Sequence, residues 1–214
     1  MEGFLKRDMT FVQSVGQYYQ IHPEAIALST YIEAEHNMGG WLSDYGQYTD
    51  FLATGNLPGQ GLGFGSMHTT TIQGGGTEKY PLYPDWTTRQ TVIARMNFEY
   101  AAPLIAADMD RKAAIYEQIT GGAINIRDDP VMLSWAYNPS TENVIRSAQN
   151  AAQAIASGAT YHTFDIYQNK QLGGIGMGAY AQQYLPKFSA FQPLIPCRHR
   201  RYLIASRPSL DSTR

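Results

Sequence analysis

The sequence predicts a mainly α-helical single domain, and three observations carry the prediction. Apolar residues recur at helical spacing in one segment after another, from Phe4–Tyr19 to Thr141–Ala156. Helix starts and stops are well marked: Pro23 and Asp129-Pro130 as openings, Gly39-Gly40 and Gly121-Gly122 as ends. One stretch, Met38 to Gly76, loosens into Gly, Tyr, Thr and Asp. A Gly-rich irregular or small β region is therefore expected after the second helix. With 214 residues, 43% of them hydrophobic, the chain can bury one sizeable core. Residues 1–196 are expected to form it. Residues 197–214 carry no packing signal and are expected to be a flexible tail.

In order, Phe4, Phe11, Val12 and Val15 predict a first helix ending near Gly16 to Gln20. The run His22 to Asn37, HPEAIALSTYIEAEHN, predicts a second, with Glu24 in the first turn, where the helix dipole favours an anion. Residues 41–52 fit either a short helix or a loop. Asn56-Leu57-Pro58-Gly59 is a turn signal. Thr87–Tyr100 reads as a helix with Thr87 or Thr88 as cap and Val92, Ile93, Met96 and Tyr100 as its stripe. Pro103–Ile119 reads as the next. Asp129-Pro130 opens a helix through Tyr137-Asn138, which Pro139 ends. Thr141 caps a helix to Ala156, and Tyr180–Phe191 predicts a short last one.

Composition removes several function classes. The net charge is −2 and the only basic cluster is Arg198, His199, Arg200 and Arg201, so no nucleic-acid partner is expected. Cys197 is the sole cysteine, which excludes an intrachain disulfide and a cysteine-based zinc site. No stretch approaches a membrane span, and the N-terminus lacks the apolar core of a signal peptide. No cofactor is implied. Tyr and Trp are plentiful, and their apolar faces and polar tips suit sugar clefts as well as cores.

The oddity is the polar end of the second helix. Glu33 and Glu35 lie where the dipole disfavours anions, roughly 200° apart, so they share no face. Glu35 falls with Leu28, Tyr31 and Ile32, the more apolar stripe. Glu33 falls with Ile26, Ser29, Thr30 and Asn37. A Glu held in an apolar setting is the group that can protonate a glycosidic oxygen. By neighbours alone Glu35 is the more desolvated candidate. Further on, Gly59 to Gly65 has glycine at every second position but lacks the lysine of a phosphate loop. Alternate glycines let a backbone pass close to something bulky.

Three segments together resemble the lysozyme-like superfamily, including lytic transglycosylases and goose-type lysozymes. They are Pro23 with Ala25-Ile26-Ala27 and Glu33 ten positions after the proline, then Gly63-Phe64-Gly65-Ser66-Met67-His68, then Ala136-Tyr137-Asn138. Asn37 matches an Asn four residues after the family acid, and Ile124-x-Ile126-x-Asp128-Asp129-Pro130-x-x-Leu133 is similar to the corresponding region of distant relatives. His68 in place of Gln, and Pro139-Ser140 after Tyr137-Asn138, depart from the pattern. The resemblance spans about residues 20–145.

It implies a lysozyme-like fold and a muramidase cutting the β-1,4 MurNAc–GlcNAc bond of peptidoglycan, with Glu33 as general acid and Glu35 as the alternative. Tyr137 would approach the acid. Ser66, Met67, His68 and Asn138 would contact the glycan, with Trp41 and Tyr45 as stacking candidates. Asp44 and Asp50 stand where goose-type relatives keep a second carboxylate, so hydrolysis and transglycosylation both stay open. The expected partners are glycan strands and an immunity or inhibitor protein. Such an enzyme would act outside the cytoplasm, delivered by a secretion machine or phage lysis system. A non-catalytic wall- or carbohydrate-binding module is the competing class. A metal hydrolase using Glu33, Glu35, His36 and His68 is a third.

Overall fold

A computed structural model describes residues 1–36, 40–56, 61–74, 79–158 and 176–189, with the side chains of residues 40–42 excepted. The protein is mainly helical, and among the described residues the extended structure is an isolated bridge between Leu62 and Met67. The helices are α1 (Glu2–Arg7), α2 (Met9–Tyr19), α3 (Pro23–His36), α4 (Gly40–Thr54), α5 (Thr69–Gln73), α6 (Thr88–Met96), α7 (Phe98–Ile119), α8 (Pro130–Tyr137), α9 (Thr141–Ala156) and α10 (Met177–Tyr184). Single 3-10 turns occupy Phe64–Ser66 and Leu185–Lys187. No described helix is long and apolar enough to cross a membrane. The expected tail 197–214 with Cys197, the domain boundary before it, and Asn37 lie outside the described residues.

The centre is α3. Every residue from Pro23 to Ile32 is buried. A helix apolar on all sides must be surrounded, and α2, α8, α10 and the 61–67 loop surround this one. Its C-terminal turn emerges from the core and carries Glu33 to the surface. Beneath it, α7 runs behind α8 and α9, with Ile105, Met109 and Tyr116 fully buried.

Several boundaries differ from expectation. The first predicted helix is two, α1 and α2, meeting at Asp8. Residues 41–52 are helical within α4, so the expected irregular region shrinks to the loop after it. The break assigned before Pro103 falls instead at Asn97, whose side chain caps α7 by accepting from the Glu99 N–H at 3.0 Å. Pro103 is the sixth residue of α7, inside the helix, where its missing N–H costs the bond to the Glu99 carbonyl. This break places Tyr100 on solvent, at 56% exposure, so it is no part of the α6 stripe. Thr87 caps α6 through a capping box with Gln90. Asp129 caps α8 by accepting from Val131 N–H and Met132 N–H at 2.9 and 3.0 Å. Thr141 is not the cap of α9. It is the first helical residue, buried, and its hydroxyl accepts from Arg111 at 3.1 Å.

The C-terminal end of α8 is held by a buried cation. Lys112 donates to the carbonyls of Tyr137 and Pro139, each at 2.9 Å, and pairs with Asp108 at 2.8 Å. A lysine placed there satisfies carbonyls that the helix leaves open. Removing Lys112 leaves both carbonyls without their donor and Asp108 with Arg111 as its remaining cationic partner. Lys112→Met is therefore expected to lower unfolding free energy by about 3 kcal/mol, read by urea denaturation.

Candidate active site

A cavity of about 220 Å³ opens where the end of α3 meets the loop after α4. Thr30, Glu33, Asp44, Phe64 and Ser66 are among its lining residues. Burial raises the proton affinity of the half-buried Glu33 carboxyl above its ordinary value, while hydrogen bonds from Ser66 and Asn138 oppose that rise. Asn138 Nδ2 donates to Glu33 Oε1 at 3.4 Å. The position of Glu33 in the last turn of α3 adds to the rise, because the carbonyl end of a helix repels an anion.

The loop that brings Ser66 there has an unusual backbone. Gly63 and Gly65 have φ of +71° and +75°, and Ser66 itself has φ +46°. A Cβ at Gly63 would stand 2.1 Å from the Arg95 carbonyl oxygen, and one at Gly65 2.7 Å from the Tyr137 hydroxyl. The alternation of glycines is thus explained at two positions by close approach and positive φ together. Ser66 has no such licence. A serine held in the left-handed region costs about 1–2 kcal/mol, and here that conformation sets its hydroxyl on Glu33.

Three buried groups keep the loop in place. The Tyr137 hydroxyl donates to the Gly65 carbonyl at 2.6 Å. Arg95 donates to the Met67 carbonyl at 2.6 Å and to the Thr69 hydroxyl at 2.9 Å. Asp44 Oδ2 accepts from the Gly63 N–H at 3.1 Å. Arg95 is 1% exposed and its guanidinium is pushed down to about 10, chiefly by burial. Burial likewise pushes Tyr137 well above the ordinary phenol, with the nearby Glu33 charge adding to it. Phe64 is packed against Phe4 and Phe98, with centroids 5.8 and 5.2 Å away.

The expected site residues divide accordingly. Glu33, Ser66, Asn138 and Asp44 come together. Glu35 reaches the cavity rim but is exposed, so the apolar-stripe argument in its favour fails. Tyr137 stands near enough to Glu33 to feel its charge, and it supports the loop through the hydroxyl bond to the Gly65 carbonyl. Met67 is 4% exposed and belongs to the core, where its carbonyl and not its side chain serves the site. His68 points to solvent at the start of α5, and Asp50 and the 56% exposed Tyr45 stand on the outer side of α4; none of the three lines the cavity. The Trp41 side chain lies outside the described residues. Among the described residues no three of His, Cys, Asp and Glu gather as a metal-holding group. Sequence reasoning missed Arg95 and Lys112. The available signal for Arg95 was a charged residue set between Val92 and Met96 on the inward side of a short helix.

No family model, curated protein or solved structure matches this chain.

Two outcomes follow from this geometry. Gly65→Ala must move the loop or both Tyr137 and Ile105, and is expected to cost about 2–4 kcal/mol by chemical denaturation. The second concerns pH. A carboxyl with a raised folded-state value binds its proton more tightly folded than unfolded. Its stabilising contribution is complete below the unfolded value and is lost as pH rises through the folded one. Glu33→Gln is therefore expected to raise Tm at about pH 7, with the gain vanishing near about pH 4, in scanning calorimetry.

Proposed function

We propose that this protein is a muramidase of the lysozyme-like fold that cuts the β-1,4 MurNAc–GlcNAc bond of peptidoglycan with Glu33 as general acid. The observation that carries the proposal is a half-buried carboxyl with raised proton affinity. It sits at a cavity, with two neutral donors on it and a rigid loop behind them. Those are the properties an acid needs to protonate a leaving glycosidic oxygen. The ordered resemblance of the Glu33, Gly63–His68 and Ala136–Asn138 segments to the family supplies the substrate class.

In this mechanism Glu33 gives its proton to the glycosidic oxygen as the bond from the MurNAc anomeric carbon to that oxygen breaks. The sugar passes through an oxocarbenium-like state. The Glu33 carboxylate then takes a proton from the nucleophile as the new C–O bond forms. If the nucleophile is the 6-hydroxyl of the same MurNAc, the product is a 1,6-anhydro sugar. If it is water, the product is a reducing end. Asp44 lines the same cavity, but its Oδ2 is engaged by the Gly63 N–H. This favours the single-acid route over one in which Asp44 activates water.

The substrate places the activity outside the cytoplasm, in the periplasm or wall. Delivery by a secretion machine or phage lysis system, with a cognate immunity or inhibitor protein, belongs to the same proposal.

Mass spectrometry of purified peptidoglycan treated with wild type and with Glu33→Gln tests it. Anhydro-muropeptides are expected from wild type, reduced by about 10²–10⁴-fold in the variant. Reducing-end products lost in the variant would instead assign hydrolysis and a role for Asp44. Binding of glycan without cleavage by wild type would assign a binding module. The wild-type rate should fall as pH rises through the raised Glu33 value, because the acid must start protonated.

A further inference from the structure

A glycosidic bond has a sugar on each side, so an acid that cuts it needs binding surface on both. The cavity lies mainly to one side. On α3, Thr30 and Ala34 lie about 60° and 100° to one side of Glu33 and line it, with Glu35 about 160° the other way at its rim. His36 lies about 60° to the other side, roughly 4.5 Å further along the axis. Asn138 reaches Glu33 from α8, and α10 packs against both α3 and α8.

At that position His36 is exposed and stacks on Tyr180 of α10, with ring centroids 3.9 Å apart and planes 27° apart. Tyr184 continues the layer. Its ring lies 6.2 Å from Tyr180 and within 7° of parallel, and its hydroxyl is 3.4 Å from His36 Nε2. The stack is exposed at His36, while Tyr180 and Tyr184 are partly buried against the core and Tyr184 meets Tyr31 edge-on with ring centroids 5.1 Å apart. Met177 and Ala181 are buried beneath the stack, Phe188 packs on Tyr31, and Lys187 donates to the Tyr31 hydroxyl at 2.6 Å.

We propose that the stacked His36–Tyr180 pair is a sugar subsite, receiving the glycan ring on the side of Glu33 opposite the cavity. The inference rests on the muramidase reading. The apolar face of an N-acetylhexose fits a flat aromatic surface, and its hydroxyls fit the polar tips at the edge. The glycan then runs across the end of α3, with the scissile bond over Glu33.

The test is calorimetric titration of a peptide-free GlcNAc–MurNAc tetrasaccharide into Glu33→Gln protein, alone and with His36→Ala, Tyr180→Ala or Tyr180→Phe added. Losing one ring contact of about 1.4 kcal/mol is expected to weaken binding about tenfold in the two alanine variants. Tyr180→Phe keeps the face and should stay within about twofold. Should Tyr180→Ala fail to fold by circular dichroism, His36→Ala decides, since His36 is exposed at a helix end. Unchanged affinity in His36→Ala, with wild type still cleaving peptidoglycan, overturns the subsite and leaves the muramidase standing. Absence of both binding and cleavage in the parent proteins overturns both.

Discussion

The site depends on one buried hydrogen bond, from the Tyr137 hydroxyl to the Gly65 carbonyl. It ties the end of α8 to the loop after α4, two segments more than seventy residues apart in the chain. Both ends of that link serve Glu33. The residue after Gly65 is Ser66, and the residue after Tyr137 is Asn138, and these two hydrogen-bond the carboxyl. A single fixed contact therefore positions both donors. It holds because nothing at Gly65 fills the space the phenol needs, and because water is excluded from a hydroxyl and carbonyl that would each be costly to leave unpaired.

The supports of that contact are themselves buried charges, each with its polar partners. Lys112 holds the α8 end through two carbonyls, and Asp108 neutralises it. Arg95 holds the far end of the loop through the Met67 carbonyl. Asp44 holds the near end through the Gly63 N–H. Such groups contribute little net stability once desolvation is counted. Their effect is to fix one geometry, since any displacement strands a charge in the core. The strained Ser66 backbone is tolerable only under such fixation.

Much of this was legible in the sequence, and the rest was not, for definable reasons. Helices with strong punctuation were found where Asp129-Pro130 and Pro23 placed them. The α6–α7 break was misplaced because Pro103 is the louder signal, while an asparagine cap at residue 97 is quiet. Face polarity misjudged which of Glu33 and Glu35 is the more buried. That argument presumes an amphipathic helix, and α3 is surrounded over Pro23–Ile32. What separates the two acids is the loop and α8 folded over one of them, which is tertiary information. Met67 misled for a related reason: its side chain belongs to the core, and the loop is held through its carbonyl. Arg95 and Lys112 act on carbonyls distant in the chain, and no local pattern announces such partners.

The environment of Glu33 is balanced and not merely desolvating, and the balance bears on the chemistry proposed for it. An acid that only gave a proton would gain from the highest proton affinity its surroundings allow. An acid that must then take a proton back, from a hydroxyl or a water, needs a carboxylate of moderate basicity and some stability. Burial and the carbonyl end of α3 push proton affinity up. Ser66 and Asn138 stabilise the anion and push it down. Both donors are neutral, so they moderate the group without locking it ionised, as a nearby lysine or arginine would. The buried cations closest to the site, Arg95 and Lys112, are spent on backbone carbonyls and Asp108. That arrangement suits the proposed single-acid mechanism, which would require Glu33 to change charge twice.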